Sequence, residues 1–171
     1  MPGKPTRKKF KLNPLFLREK ELREAKELLL FAYRNFTSES DQVLADFGFG
    51  HAHHRVIYFV AAKPGIIVGE LLTLLQITKQ SLSRVMNELL VGGFLYQKTD
   101  LIDRRRKKLF LTPKGESLEN MLTEPQLEKI AQAFRHAGVD AVEGFCTVLQ
   151  NFIDIQDETP IDHAIENSEQ Y

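Results

Sequence analysis

The sequence predicts a mainly α-helical fold with one small β-hairpin. Apolar residues recur at spacings of three and four over several long stretches, which is the periodicity of amphipathic helices. Two short strand-like runs, residues 94–99 and 107–111, flank a basic connection and predict the hairpin. The chain has 171 residues, enough for one domain with a good core or for a small domain with extensions.

The first helix is predicted from residue 13 to about residue 47. Asn13 and Pro14 supply a cap residue and a proline for the first helical position. An apolar stripe with the spacing of a helix-packing seam follows: Leu22, Ala25, Leu29, Ala32 and Phe36. A helix of this length, roughly 45 Å, is longer than a small domain can cover, so the stripe predicts a partner chain.

Two shorter helices and a tight turn come next. Residues 51–62 are predicted as the second helix, ended by Pro64, and residues 66–75 as the third. Residues 76–77 then form a turn into a further helix that carries polar residues near its start. Two helices joined in this way are the helix-turn-helix pattern.

The helix that begins at Thr78 is amphipathic. Its apolar residues fall on one face: Leu82, Val85, Met86, Leu89 and Leu90. The Thr78 hydroxyl is predicted to cap the helix, and Gly92 to end it. The opposite face carries side chains suited to contacts with base edges and phosphates in the major groove of DNA: Thr78, Lys79, Gln80, Ser81, Ser83 and Arg84. The alternative is an ordinary solvated helix face.

The connection between the two strands is the second candidate contact with DNA. Its residues are Asp103, Arg104, Arg105, Arg106, Lys107 and Lys108. Consecutive cations repel one another and need a counter-charge, which phosphates supply. A guanidinium at a narrow tip can also enter the minor groove, where the negative potential is strongest. Asp103 could orient one arginine through a bidentate pair. The alternative is a solvated basic loop.

Charge is segregated along the chain although the formal net charge is zero. The first eleven residues carry several cations and no acid, while no Lys or Arg follows Arg135. Acidic residues accumulate there instead, and residues 157–171 are predicted as an acidic tail. A neutral chain can therefore present one basic surface to nucleic acid. The alternative is that segregated charge is ordinary solvated surface.

Further helices are predicted after the hairpin. Thr112 and Pro113 are a cap and first-turn pair that starts one, and Pro125 is expected to break or kink it. A separate segment would run over residues 125–136. Asp140 is predicted to cap a last helix with an apolar stripe of its own.

Two motifs in this chain resemble those of the MarR family. Asp103-Arg104-Arg105 followed by Leu109-Phe110-Leu111-Thr112 is similar to the family's wing signature, and residues 69–84 resemble its helix-turn-helix. The resemblance covers about residues 15–155. It implies a homodimer with one winged helix in each subunit, a pseudo-palindromic operator, and commonly repression relieved by a ligand or oxidant. By position, Arg105 would be the wing-tip residue and Asp103 its orienting partner. Gly69 departs from the family, which usually has alanine or a similar small helix former there.

The predicted organisation is therefore a winged helix-turn-helix DNA-binding domain plus a helical dimerisation domain. The ranges are a flexible basic arm (1–12), a helical dimerisation region (13–50 and 113–156), the winged helix-turn-helix domain (51–112) and the acidic tail (157–171). With a single cysteine, no apolar leader and no run of the roughly 20 apolar residues of a membrane span, the chain is expected to be cytoplasmic.

The expected partners are double-stranded DNA, a second copy of the chain and a small-molecule effector, with no membrane. The resemblance places effectors in a cleft between the dimer helices and the winged helix, where Arg34, His54 and Arg55 could bind an anionic compound. Capping and surface polarity are the alternative.

No metal site, cofactor or enzymatic activity is predicted. His51 and His53 would not share a helix face, and no Cys or carboxylate cluster lies near them. Cys146 falls at helical spacing with apolar residues, which favours core packing over a redox role. No enzyme motif is present. The competing function is a winged-helix protein-protein interaction module without sequence-specific DNA binding.

Overall fold

A computed structural model describes residues 18–101 and 103–153. Six helices and two strands follow one another: α1 (Glu19–Asp46), α2 (His51–Ala62), α3 (Val68–Leu75), α4 (Lys79–Val91), β1 (Leu95–Thr99), β2 (Lys107–Leu111), α5 (Pro113–Ala137) and α6 (Val139–Phe152). The predicted mainly helical fold with a small β-wing is confirmed. The predicted start of the first helix at Asn13, the basic arm (1–12) and the acidic tail (157–171) lie outside the described residues.

The chain divides into two compact units between Thr37 and Ser38. The second unit holds the hydrophobic core, which is built mainly by α2, α3, α4 and the hairpin. Its fully buried side chains include Val56, Ile57, Val60, Ile66, Leu71, Leu82, Leu89, Leu109, Leu118 and Leu122. Each such side chain contributes roughly 1.5–3 kcal/mol through burial. This core fixes α4 and the hairpin with respect to each other.

Helix α4 forms as its sequence predicts. Leu82, Val85, Met86 and Leu89 are buried, and the polar face is exposed. The Thr78 hydroxyl accepts a hydrogen bond from the Ser81 backbone N–H at 3.2 Å, which confirms the predicted cap. Gln76 takes the left-handed conformation, with φ of 50°, in the turn between α3 and α4. The start of the helix is therefore closely determined.

The third helix begins at Val68, two residues later than the sequence suggests. The preceding residues extend the hairpin instead. The Gly65 N–H donates to the Leu109 carbonyl at 2.8 Å, and the Leu109 N–H donates to the Ile66 carbonyl at 3.0 Å. Ile67 forms an isolated bridge with Lys108. These contacts lie between residues distant in sequence, so the local helical pattern could not reveal them.

The hairpin is antiparallel, with Leu95 opposite Leu111 and Thr99 opposite Lys107. Strand β1 begins at Leu95, one residue later than predicted, while Phe94 is buried in the core. At the other end of the hairpin, the Thr112 hydroxyl accepts the Gly115 N–H at 3.1 Å and caps α5, as predicted. Both strands are thus fixed directly to the helices that flank them.

Helix α5 is continuous through Pro125, so the predicted division into two helices is wrong. Proline removes a helical N–H and disturbs the neighbouring turn. Ser40 of α1 contacts the helix on either side of it: its hydroxyl donates to the Leu122 carbonyl at 2.9 Å and accepts the Gln126 side-chain amide at 3.0 Å. Because Leu118 and Leu122 are also buried in the core, α5 is held on both sides of the proline.

Helix α6 differs from its prediction in two ways. It begins at Val139 after Gly138, which has a φ of 84°, so Asp140 lies in the first turn and is not the cap. No residue of α6 is buried in the single chain, and Cys146 is exposed. The predicted core packing of Cys146 is therefore wrong for one chain, because the apolar stripe of α6 has little covering it there. No helix within the described ranges is long and apolar enough to cross a membrane.

Candidate nucleic-acid interface

The polar face of α4 is fully accessible. Lys79, Gln80, Ser83 and Arg84 are exposed. Thr78 and Ser81 are exposed too, but their hydroxyl oxygens lie 2.9 Å apart and hydrogen-bond to each other, in addition to the cap. The α4 side chains that remain available for contacts in the major groove of DNA are therefore mainly those of Lys79, Gln80, Ser83 and Arg84.

A chain of hydrogen bonds connects Arg84 to the start of α2. Arg84 Nε donates to Glu88 Oε1 at 3.0 Å, one helical turn along. Glu88 Oε2 lies 2.6 Å from His53 Nε2. The Gly50 backbone N–H donates to His53 Nδ1 at 3.1 Å. Hydrogen bonds from Arg84 and then from His53 lower the pKa of Glu88 below its ordinary value, so this carboxylate is charged at neutral pH.

His53 and Glu88 are functional candidates that the sequence pattern does not reveal. They are 35 residues apart, and only the fold brings them together. The sequence offered one weak signal, the four-residue spacing of Arg84 and Glu88 on a helix. Within residues 18–101 and 103–153, no group of three or more His, Cys, Asp or Glu side chains could hold a metal ion.

Asp103 shapes the tip of the wing. Its Oδ1 accepts the backbone N–H of Arg105 at 3.0 Å, and its Oδ2 lies 3.3 Å from Arg106 Nε. The Arg106 N–H donates to the Asp103 carbonyl at 2.9 Å. The carboxylate is thus divided between a backbone N–H and one guanidinium nitrogen, and the predicted bidentate pair with an arginine does not form.

The consecutive cations of the wing fall into two groups. Arg106 pairs with Asp103, Lys107 Nζ donates to the Thr99 hydroxyl at 2.8 Å, and Lys108 Nζ lies 3.1 Å from Asp100 Oδ2. Arg104 and Arg105 are exposed. Their guanidinium groups have no hydrogen bond or ion pair with the part of the chain that the structure describes. Two cations at the tip therefore lack an internal counter-charge.

The junction between α4 and the wing is closed by hydrogen bonds. The Phe94 N–H donates to the Leu89 carbonyl at 2.9 Å, and the Thr112 hydroxyl donates to the Gly93 carbonyl at 2.6 Å. Lys114 Nζ donates to the Gly92 carbonyl at 2.8 Å. Gly93 itself has a φ of 71°, a conformation that favours glycine. These bonds join the first residues of the wing directly to the end of α4.

The three candidate effector residues have separate surroundings. The Arg34 guanidinium lies 5.0 Å from the centre of the Phe31 ring on α1. Arg55 Nη2 donates to the Leu75 carbonyl at 2.9 Å and so closes the end of α3. His54 is half-buried, and burial lowers its pKa, an effect that the nearby Glu119 carboxylate opposes. Arg55 thus has a structural partner of its own.

Comparisons with known proteins agree with this geometry. The model of the MarR family matches residues 47–106. The HTH-type transcriptional regulator PetP of Rhodobacter capsulatus is 41% identical over 140 residues, which cover 82% of this chain and 84% of PetP.

Solved structures show the same fold. A MarR family transcription regulator superposes with a TM-score of 0.65 at 20% identity, covering 82% of this chain and 95% of that one. The transcriptional regulator SlyA gives 0.63 at 18% identity, covering 80% and 94%. A mutant of MepR from S. aureus, bound to an oligodeoxyribonucleotide, gives 0.55 at 19% identity, covering 75% and 95%.

The relative in Rhodobacter, the match over the helix-turn-helix and the first part of the wing, and the shared fold lead to one conclusion. The chain belongs to the MarR family of DNA-binding, helix-turn-helix transcriptional regulators and is not an enzyme.

Proposed function

We propose that this protein binds a pseudo-palindromic operator as a homodimer, and that it is a cytoplasmic repressor modulated by a small-molecule ligand. The observation that carries the DNA-binding part is the pair of wing-tip arginines without an internal counter-charge, in the same unit as an exposed polar helix face. The proposed contacts are Thr78, Lys79, Gln80, Ser81, Ser83, Arg84, Asp103, Arg104, Arg105, Arg106 and Lys107.

The two elements suit different parts of the duplex. Helix α4 would enter the major groove, where Lys79, Gln80 and Arg84 offer donors to base edges. Arg104 and Arg105 would contact the flanking minor groove and its phosphates, where a guanidinium gains most from the negative potential. In this arrangement α4 selects the sequence and the wing supplies affinity.

Exposed apolar side chains support the homodimer. On α6 they include Val139, Phe145, Val148, Leu149 and Phe152, and on α1 they include Leu22, Leu28, Leu29, Leu30, Phe31 and Tyr33. Apolar surface on this scale is typical of an interface with another protein. A two-fold axis would place half-sites about one helical turn apart, roughly 10 bp.

The proposed effector is an organic anion, and its candidate residues are Arg34 in the first unit and, separately, His54 and Arg55 in the second. A guanidinium group would supply charge to an acidic ligand, and the half-buried His54 imidazole would supply a hydrogen bond. Addition of a panel of organic anions should weaken operator binding by the parent, and Arg34→Ala should reduce that response. Equal responses from the two proteins would rule out Arg34 as a ligand residue.

The role of the wing is tested by Arg105→Ala. Each phosphate contact contributes about 0.9 to the slope of log affinity against log salt concentration. We expect the variant to bind both operator and random DNA more weakly and to have a shallower slope. The matched control is Arg135→Ala, since Arg135 is paired with Glu128 on α5.

Binding by Arg105→Ala as tight as that of the parent, across the whole salt titration, would show that the wing assignment is wrong. Absence of any shift of genomic fragments by the parent at micromolar protein would favour the competing function, a protein-protein interaction module.

A further inference from the structure

The series of hydrogen bonds that begins at Gly50 ends at Arg84, a side chain that is proposed to contact DNA bases. Gly50, His53, Glu88 and Arg84 are linked in series, with donor-acceptor distances of 3.1, 2.6 and 3.0 Å. Exposure of the side chains increases along it, from 11% for His53 through 36% for Glu88 to 83% for Arg84. A largely buried side chain is thus connected to a highly exposed one on α4.

The inner end of this chain is rigid. Because the Gly50 N–H donates to His53 Nδ1, that nitrogen carries no proton, and the proton of the neutral ring lies on Nε2. Nε2 therefore donates to Glu88. The imidazole also stacks on the Phe49 ring, with centroids 4.5 Å apart and planes 9° from parallel. A ring held by its backbone, its neighbour and its hydrogen bonds fixes where the Glu88 carboxylate lies.

At the outer end of the series, the terminal nitrogens of the Arg84 guanidinium are available for DNA. Glu88 takes only the Nε proton of Arg84. The terminal nitrogens, Nη1 and Nη2, have no hydrogen bond with any residue in the ranges 18–101 and 103–153. An arginine recognises guanine through two parallel bonds, to O6 and N7 in the major groove. Because the guanidinium is already held at Nε, it loses little rotational freedom when its terminal nitrogens bind a base. The entropy cost of binding is therefore smaller.

We propose that His53 is a positioning residue for base recognition. It orients the Glu88 carboxylate, which holds the Arg84 guanidinium so that its terminal nitrogens can meet a guanine. This inference rests on the proposed DNA-binding function and adds to it a specific residue outside the DNA surface. A purely structural role for His53, as a tie between α2 and α4, would affect all DNA sequences alike.

The test uses the 171-residue chain and a duplex enriched from a random library by the parent protein. Affinities are measured for this duplex, for a random duplex, and for enriched duplexes in which single guanines are replaced by 7-deazaguanine. The guanine whose N7 matters to the parent but not to Arg84→Ala is the one that Arg84 contacts.

Two variants interrupt this series of hydrogen bonds at different points, and both substitutions are conservative enough for the protein to fold. His53→Gln retains a polar side chain of moderate size. Glu88→Gln retains shape, but it replaces one of the two acceptor oxygens with an NH2 group, so either His53 or Arg84 loses its acceptor. His51→Gln is the matched control, since His51 lies on the same helix but pairs with Asp41.

We expect His53→Gln and Glu88→Gln to lose about tenfold in affinity for the enriched duplex. Affinity for random DNA and for the duplex with 7-deazaguanine at the Arg84 position should be unchanged, and His51→Gln should behave like the parent. In an Arg84→Ala background the two substitutions should have no further effect. If His53→Gln does not fold, Glu88→Gln is compared with the parent on the same three duplexes.

Equal losses on enriched and random duplexes, a loss that persists with Arg84→Ala, or no loss would each overturn the role of His53. If the parent enriches no sequence, the proposed function fails and this inference fails with it. If the parent enriches a sequence and the variants bind it normally, only this inference fails.

Discussion

At the scale of single residues, Asp103 shapes the tip of the wing. One carboxylate oxygen accepts the Arg105 N–H and the other lies beside Arg106 Nε, so the turn is closed from within. Exposed ion pairs contribute only about 0.2–1 kcal/mol, so this arrangement matters more for conformation than for stability. Arg104 and Arg105 are exposed and have no ion pair within the described residues, so their charges are available for a contact with DNA.

His54 makes stability depend on pH. Burial lowers its pKa below the ordinary value of 6.5, and Glu119 opposes this only in part. Below about pH 6.5 the unfolded chain therefore binds more protons than the folded one, and the free energy of unfolding falls as the pH drops toward the lower, folded-state pKa. Above that range His54 is neutral in both states and contributes no pH dependence.

We expect His54→Gln to reduce the difference in unfolding free energy between pH 7.5 and pH 5.5. Denaturant titrations at fixed protein concentration measure this difference, with His136→Gln, an exposed position on α5, as the control. A His54→Gln variant that loses as much stability on acidification as the parent would show that another group is responsible.

At the scale of helices, two glycines in first turns should respond oppositely to alanine. At Gly69 of α3 an added Cβ meets no atom within 4 Å, whereas at Gly115 of α5 it would lie 2.1 Å from the Phe94 carbonyl oxygen. Gly69→Ala should stabilise the protein by about 0.5–1 kcal/mol through helix propensity and a less flexible unfolded chain. Gly115→Ala should destabilise it by about 1–3 kcal/mol through overpacking.

Guanidinium unfolding without DNA measures both changes, and each glycine is the control for the other. If Gly69→Ala destabilised the protein as much as Gly115→Ala, the open space above α3 would not exist.

Elements that depend on local signals were predictable from the sequence. Helix α4 follows from its apolar periodicity and the Thr78 cap, and the hairpin from two short runs and the motif between them. Features that depend on distant contacts were not. Ser40, for example, contacts α5 on either side of Pro125 through Leu122 and Gln126, which are 82 and 86 residues away from it. The same limit applies to the candidate site, where Arg84 was predictable but its connection to His53 was not.

At the scale of the whole molecule, the apolar surface of α6 predicts self-association. Val148 is 53% exposed in the single chain. Val148→Glu would place a charge in the proposed interface, where it would have to lose its water. We expect sedimentation velocity to show a dimer for the parent and a shift toward monomer for Val148→Glu, with weaker operator binding.

The matched control is Gln150→Glu, which adds the same charge at another exposed position of α6. The two proteins are compared at the lowest concentration at which the parent is a dimer. If Val148→Glu is also fully dimeric there, Val148 does not lie in the interface.

The central claim is that two copies of α4 and the wing read DNA symmetrically. Selection from a random duplex library by the parent protein, followed by footprinting of the enriched sequences, tests this most directly. We predict an inverted repeat whose half-site centres lie about 10 bp apart, with minor-groove protection at both flanks. Enrichment of no sequence, or of a single half-site without a repeat, would contradict the account.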